Sequence, residues 1–173
     1  MRSLTVIVGL IAIAALFRLA PHPPNFAPVA ALALFGGAFL SNRVLAFAIP
    51  LAAMLATDLV LGFHGTMAFV YLAFVATVLI GRTLQTRRQQ ALPVAGAAVG
   101  ASVLFFLVTN FGTWLVQDLY PPTAAGLAAC YTAAIPFFHN TLAANLLFTG
   151  VLFGLAAALR AGAESTAQPL TAA

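Results

Sequence analysis

The sequence predicts an all-α integral membrane protein, with about six transmembrane helices in one bundle and both termini cytoplasmic. Three observations carry that prediction. Only 6% of the 173 residues are charged while 63% are apolar, giving a mean hydropathy of +1.07; a soluble domain carries about 25% charged residues. The apolar residues fall in long runs broken by short polar stretches, which is the pattern of helical spans and not the alternating polarity of a membrane barrel. The basic residues are all arginine, and they sort to one side of the membrane once the spans are numbered.

The first span is expected from about Ser3 to Leu19. Arg2 followed by an apolar run resembles a secretory leader, but the run ends in Phe17-Arg18-Leu19-Ala20 without a small-x-small cleavage site, so an uncleaved helix is predicted. A connector follows, Arg18-Leu-Ala-Pro-His-Pro-Pro-Asn-Phe-Ala-Pro28. Its four prolines remove backbone donors and fix φ, so it must leave the helix as a shaped segment. The second span, about Phe26 to Leu40, is short for a crossing of roughly 20 residues and reads as tilted or partly re-entrant.

Ser41-Asn42-Arg43 is a polar turn into the third span, about Val44 to Leu61, with a kink expected at Pro50. Gly62 to Gly65 makes the next turn, and the fourth span runs from about Thr66 to Ile80. Gly81 to Gln90, with Arg82, Arg87 and Arg88, is the most polar loop. The fifth span runs from about Leu92 to Val116. Thr123 to Ala134 is expected as a short interfacial helix, and Pro136 is expected to open the sixth span, which ends near Leu159. Residues 1–160 form a single domain, and residues 161–173 are expected to be a disordered polar cytoplasmic tail.

With the loops numbered alternately, Arg2, Arg43, Arg82, Arg87, Arg88 and Arg160 share one side, and Arg18 alone lies on the other. The positive-inside rule makes the arginine-rich side cytoplasmic. Absence of lysine and the wealth of alanine suit a GC-rich bacterium, so the expected location is the bacterial inner membrane, multi-pass. The positive charge orients the chain in the lipid bilayer and does not signal nucleic acid.

This topology gathers the remaining polar residues at the outer face. Asp58 lies about 20 Å along the third span at roughly 1.5 Å per residue. Asn110 and Trp114, four residues apart on one helix face, lie in the outer third of the fifth. His139 and Asn140 occupy the first outer turns of the sixth, and Thr141, Asn145 and Thr149 continue down it. Arg18, His22, Asn25 and His64 belong to outer connections. Ionisable groups in spans face the bundle interior or a wet cavity by default, because each costs roughly 2.5–3.5 kcal/mol in lipid. An outward-opening pocket is therefore expected, with Arg18, His22 and Asn25 as its gate and Asp58, His64, Asn110, Trp114, His139 and Asn140 as its substrate-binding residues. Two helix amino ends and Arg18 would suit an anionic or strongly hydrogen-bonding ligand group. A structural reading stands beside this one, in which the polar cluster is helix glue and Trp114 belongs to an aromatic belt.

Other chemistry has little support in the sequence. Cys130 is single and without a neighbouring base, so disulfides, cysteine metal clusters and nucleophilic catalysis are not expected. There is neither a Gly-x-Ser-x-Gly elbow nor a phosphate-binding glycine loop, and the chain is read as no enzyme and as needing no cofactor. His22, His64, His139 and Asp58 are of types that ligate transition metals, but they lack close spacing. Gly96-x3-Gly100 and Gly150-x3-Gly154 are small-x3-small patterns expected to let helices approach closely within the chain.

Four stretches carry a resemblance over most of residues 15 to 155. They are Arg18 with Pro-His-Pro-Pro-Asn-Phe-Ala-Pro-Val-Ala-Ala-Leu-Ala-Leu-Phe-Gly-Gly, Thr-Asp58-Leu-Val-Leu-Gly-Phe-His64, Thr-Asn110-Phe-Gly-Thr-Trp114, and Pro-Phe-Phe-His-Asn140-Thr-Leu. They resemble an uncharacterised bacterial membrane family of transport-type proteins, allied to the substrate-binding S components of energy-coupling-factor vitamin transporters. The resemblance implies an S-component-like bundle that binds a vitamin-sized nutrient from the periplasmic face, with the first connector in the gate. It also implies an energy-coupling scaffold and ATPases as partners. Ala12, Ala14 and Ala15 depart from the Ala-x3-Ala spacing by which S components dock that scaffold. Solitary relatives that take up cobalamin make a corrinoid one candidate ligand. The rival functions are transition-metal uptake through the three histidines and Asp58, and a structural membrane subunit.

Overall fold

The computed structural model describes residues 2–167. These residues form six α-helices and, among the described residues, no strand: α1 (Arg2–Leu19), α2 (Val29–Phe39), α3 (Arg43–Leu61), α4 (Met67–Thr83), α5 (Ala91–Val116) and α6 (Ala124–Ala167). By length and composition α3, α5 and α6 are long and apolar enough to cross a membrane, while α2 and α4 are shorter apolar helices. The all-α architecture follows the hydropathy pattern directly.

Helix α2 is the hub. It packs against α3, α4 and α6, with smaller contacts to α5 and α1. Of its 11 residues only Ala30, Phe35 and Phe39 escape full burial, as expected of a helix that is apolar all round. Its small side chains let neighbours approach closely. A Cβ added at Gly37 would stand 2.2 Å from the Val78 carbonyl oxygen, and one at Gly81 would stand 2.2 Å from that of Leu34. The α2–α4 crossing is thus backbone on backbone. Gly81 stays inside α4, which runs beyond the expected end at Ile80.

At the carboxyl end of α2, the loop after α4 supplies the donors that a helix end needs. Gln85 Nε2 donates to the Gly37 carbonyl at 3.4 Å, and Arg88 Nη1 donates to that of Ala38 at 3.2 Å. The Arg88 guanidinium also lies 5.0 Å from the centre of the Phe39 ring. Helix α3 begins at Asn42, whose Oδ1 accepts from the Leu45 amide. It carries Pro50 buried in its interior and ends at Gly62, whose φ of +95° suits glycine.

Two expectations are corrected at the carboxyl-terminal end. Thr123 to Ala134 is not a separate interfacial helix, and Pro136 does not open a span; α6 is continuous from Ala124 through Pro136. Thr123 starts it by accepting the Gly126 amide on Oγ1 at 3.1 Å. Alanine dominates the first turns, and its helix propensity carries the chain up to the proline. Residues 161–167, expected to be disordered, continue the helix; residues 168–173 lie outside the described residues.

The glycine patterns are also corrected. Nothing comes within 4 Å of a Cβ built at Gly96, Gly100, Gly150 or Gly154. Gly150 and Gly154 instead border a groove of about 390 Å³ between α5 and α6. The close approaches use Gly37, Gly81, Gly112 against the Phe69 ring, and Gly126 against Pro121.

Candidate functional site

The proline-rich connector leaves α1 at Leu19 and folds back at Asn25, a non-glycine residue at φ +63°. Asparagine tolerates this left-handed conformation better than most residues. The turn closes with the Phe26 amide donating to the Pro23 carbonyl at 3.0 Å. Asn140 on α6 pins it from outside, its Nδ2 donating to the Pro24 carbonyl at 3.1 Å. Phe148 on α6 holds both flanks, with its ring centre 5.0 Å from that of Phe17 and 5.8 Å from that of Phe26.

Arg18, at the end of α1, reaches into the last turn of α3. Its Nη1 lies 2.6 Å from Asp58 Oδ1, and it also donates to Thr57 Oγ1 and to the Met54 carbonyl. The other carboxylate oxygen of Asp58 accepts from Tyr71 on α4 at 2.8 Å. The Asp58 side chain is 1% exposed and that of Arg18 18% exposed. A carboxylate this deep is held by its partners, since an unpaired buried charge is costly. The cluster ties α1, α3 and α4 together beneath the connector.

Beside it lies a cavity of about 360 Å³. Arg18, His22 and Asn25 form its connector side, and His64 and Asn110 line it from α3–α4 and α5. These five expected residues come together. The other four do not. Asp58 is sealed behind Arg18 rather than forming the floor, and Trp114 turns its Nε1 to the Pro121 carbonyl at 3.0 Å. His139 is exposed and lies off the cavity, and Asn140 supports the connector from behind.

The lining repeats along each helix with helical spacing. On α5 it comprises Phe105, Phe106, Thr109, Asn110 and Thr113; on α6 it comprises Ala134, Phe137, Phe138, Thr141 and Asn145. Trp114 and His139 each follow a lining residue by one position, and one position turns a side chain about 100° around the axis. Their polarity drew attention, but the helical face excludes them. Phe74, Thr66, Val29 and Ala30 complete the walls from α4, its leading residue and the amino end of α2.

The polar groups at this site are mostly engaged. His64 Nδ1 is 2.9 Å from Thr66 Oγ1, and His22 Nδ1 is 2.7 Å from the Ala20 carbonyl. Asn145 Nδ2 donates to Ser102 Oγ at 2.9 Å and to the Ala98 carbonyl at 3.3 Å, while its Oδ1 is buried without a partner. Among the described residues no group of three or more His, Cys, Asp or Glu side chains is placed to hold a metal ion, so His22, His64, His139 and Asp58 do not form the metal set weighed from the sequence. Cys130 is buried against α5, where its Sγ lies 3.4 Å from the Asn110 carbonyl.

A family model described as "Family of unknown function (DUF6580)" matches residues 1–167. No curated protein and no solved structure gives a match.

Proposed function

The chain belongs to the DUF6580 family, and we propose that it is a transport protein that captures a small organic nutrient at the periplasmic face of a bacterial inner membrane. The observation that carries this reading is the cavity of about 360 Å³ bordered on one side by the connector. It falls in the range of roughly 300–1,000 Å³ typical of small-molecule sites, and it combines apolar walls with a few placed polar groups.

The topology behind the reading has six membrane segments, α2 the shortest, and both termini inside, with the arginine-rich loops cytoplasmic. It sets the cavity at the outer end, beneath the α1–α2 connector and beside the α3–α4 turn. The volume favours a ligand of one or two rings over a corrinoid. In the S-component-like cycle, the connector opens to admit the ligand and closes over it. Helix α2 and the Arg18–Asp58–Tyr71 cluster form the stable frame beneath. The chain has no nucleotide-binding loop, so uptake draws on an energy-coupling scaffold with its ATPases, on an ion gradient, or on the ligand's own gradient.

Native mass spectrometry of the protein purified in lipid nanodiscs tests the reading. A small organic molecule retained by the wild type and released by Asn110→Leu or Phe106→Ala supports it. Retention unchanged by both substitutions overturns it in favour of a structural subunit.

A further inference from the structure

The groove of about 390 Å³ between α5 and α6 is separate from the cavity beneath the connector. In the topology proposed above it lies in the cytoplasmic half of the bundle, where α5 begins and α6 ends. What it holds depends on that topology and not on the uptake reading.

The two parts of the groove differ in character. Arg88, Gln89 and Gln90, from the loop before α5, stand at its head. Along its length Val94, Ala98 and Phe153 are buried in the floor, while Ala95, Gly150 and Gly154 are exposed along the rims. A Cβ built at Gly150 or Gly154 meets nothing within 4 Å, so the trough exists because side chains are missing there. The residues that follow its lining by one position, Leu92 on α5 and Leu147, Val151 and Leu155 on α6, are exposed. Open apolar surface on both sides of the trough, on two helices long enough to span, is surface that meets lipid tails.

The head of the groove is basic and lacks a counter-ion. Gly81 to Gln90 contains Arg82, Arg87 and Arg88 and no acid. Among the described residues the one ion pair is that of Arg18 with Asp58, outside this groove. Arg88 is held in place by its bond to the Ala38 carbonyl and by the Phe39 ring beneath its guanidinium. Phe39 in turn packs edge to face on Phe153 in the groove floor, at 5.3 Å between ring centres. An uncompensated cation thus stands at the end of an apolar trough. Basic pockets between spans at the cytoplasmic surface suit anionic lipid headgroups, and the planar guanidinium suits phosphate.

We propose that this groove binds an anionic phospholipid of the cytoplasmic leaflet, with its phosphate at Arg88 and one acyl chain along Val94, Ala98 and Phe153. A zwitterionic lipid brings the same chain, but its own cation offsets the phosphate charge. A second copy of the chain could fill the trough by shape alone. It would leave Arg88 unpaired, since neither α5 nor α6 as far as Gly162 carries an acid.

Native mass spectrometry of the full chain in detergent, titrated with palmitoyl-oleoyl phosphatidylglycerol or the matching phosphatidylcholine, tests the assignment. The wild type is expected to bind one phosphatidylglycerol about tenfold or more tightly than the phosphatidylcholine. Gly154→Leu fills the trough and is expected to weaken that binding by about tenfold or more. Gly100→Leu, at an equally open glycine off the groove, is expected to keep it. Arg88→Gln is expected to bring the two lipids within about twofold of each other, while Arg88→Lys keeps most of the preference. Arg43→Gln, at an exposed arginine off the groove, should leave the preference intact. Because Arg88 also supports the end of α2, melting profiles accompany its variants, and the glycine pair decides if they fail to fold. Equal affinity of the wild type for the two lipids overturns the proposal. So does wild-type binding by Gly154→Leu, or an equal loss in Gly100→Leu or Arg43→Gln. A lipid-free dimer that Gly154→Leu breaks gives the groove to a second copy and likewise overturns it.

Discussion

Arg18 and Asp58 meet at 2.6 Å, and through that contact the end of α1 is fastened to the last turn of α3. Asp58 sits near the carboxyl end of its helix, where the backbone dipole disfavours a carboxylate. The arginine offsets that placement. Removing Asp58 leaves the partly buried Arg18 without its counter-ion, so Asp58→Ala is expected to destabilise the fold, by no more than the roughly 3–5 kcal/mol of a broken buried pair. Replacing both with leucine is expected to recover most of the loss. Melting curves for the single and double variants in detergent check this, and a double variant as unstable as Asp58→Ala counts against it.

Tyr71 supplies the hydrogen bond to the other carboxylate oxygen. Tyr71→Phe keeps the ring and removes that donor, at an expected cost of about 1.5–3 kcal/mol, the range for hydrogen bonds to charged groups. In the Asp58→Asn background the cost should shrink, which the same melting measurements would read as coupling.

The α2–α4 crossing makes a steric prediction with an internal control. Gly37→Ala and Gly81→Ala each drive a Cβ into backbone at 2.2 Å, and the helices must separate. Losses at or above the roughly 1–3 kcal/mol of core overpacking are expected, seen as reduced yield of monodisperse protein. Gly96→Ala and Gly150→Ala meet open space and should be neutral or stabilising by up to about 1 kcal/mol, because alanine is the better helix former.

His139 and Trp114 lie off the cavity, while Phe138 and Thr113 line it. His139→Ala and Trp114→Phe should therefore change ligand affinity by less than about twofold. Phe138→Ala should weaken it by about tenfold, the equivalent of about 1.4 kcal/mol. The comparison is made on the small organic molecule that the wild type retains, and equal losses for the neighbours His139 and Phe138 would exclude the assigned helical face.

Besides the Phe148 ring contacts, α6 holds the connector by a hydrogen bond from Asn140 to the Pro24 carbonyl. Asn140→Ala should speed hydrogen exchange at the Phe26 amide, which closes the adjacent turn, and leave exchange in α2 unchanged.

What the sequence revealed and what it hid follow from the same physics. Hydropathy locates α3 and α5 closely, because long apolar runs end at polar turns such as Asn42 and Gln90. It misplaces the start of α6, because proline was read as a helix opener, whereas an alanine-rich segment capped by Thr123 carries the helix through Pro136. Arg18, His22, Asn25, His64 and Asn110 were legible because polar groups in an apolar chain need a reason. The phenylalanines of the cavity were not, since a ring lining a cavity and a ring facing lipid have the same composition. Only the repeat of Phe105, Thr109 and Thr113 on one face carries the distinction. Asp58 was seen, but its engagement by Arg18 and Tyr71 depends on distances that a sequence does not contain.

Helix α2, at 11 residues, is about 16 Å long, close to half of the roughly 30 Å hydrocarbon core of a bilayer. Its first residues, Val29 and Ala30, border the cavity. The cavity therefore lies where α2, a piston too short for its cylinder, stops and its neighbours supply the walls. Pro28 sets the stopping point. Where Pro28 falls along the axis thus fixes one end of the cavity, and the side chains of the neighbouring helices shape the rest.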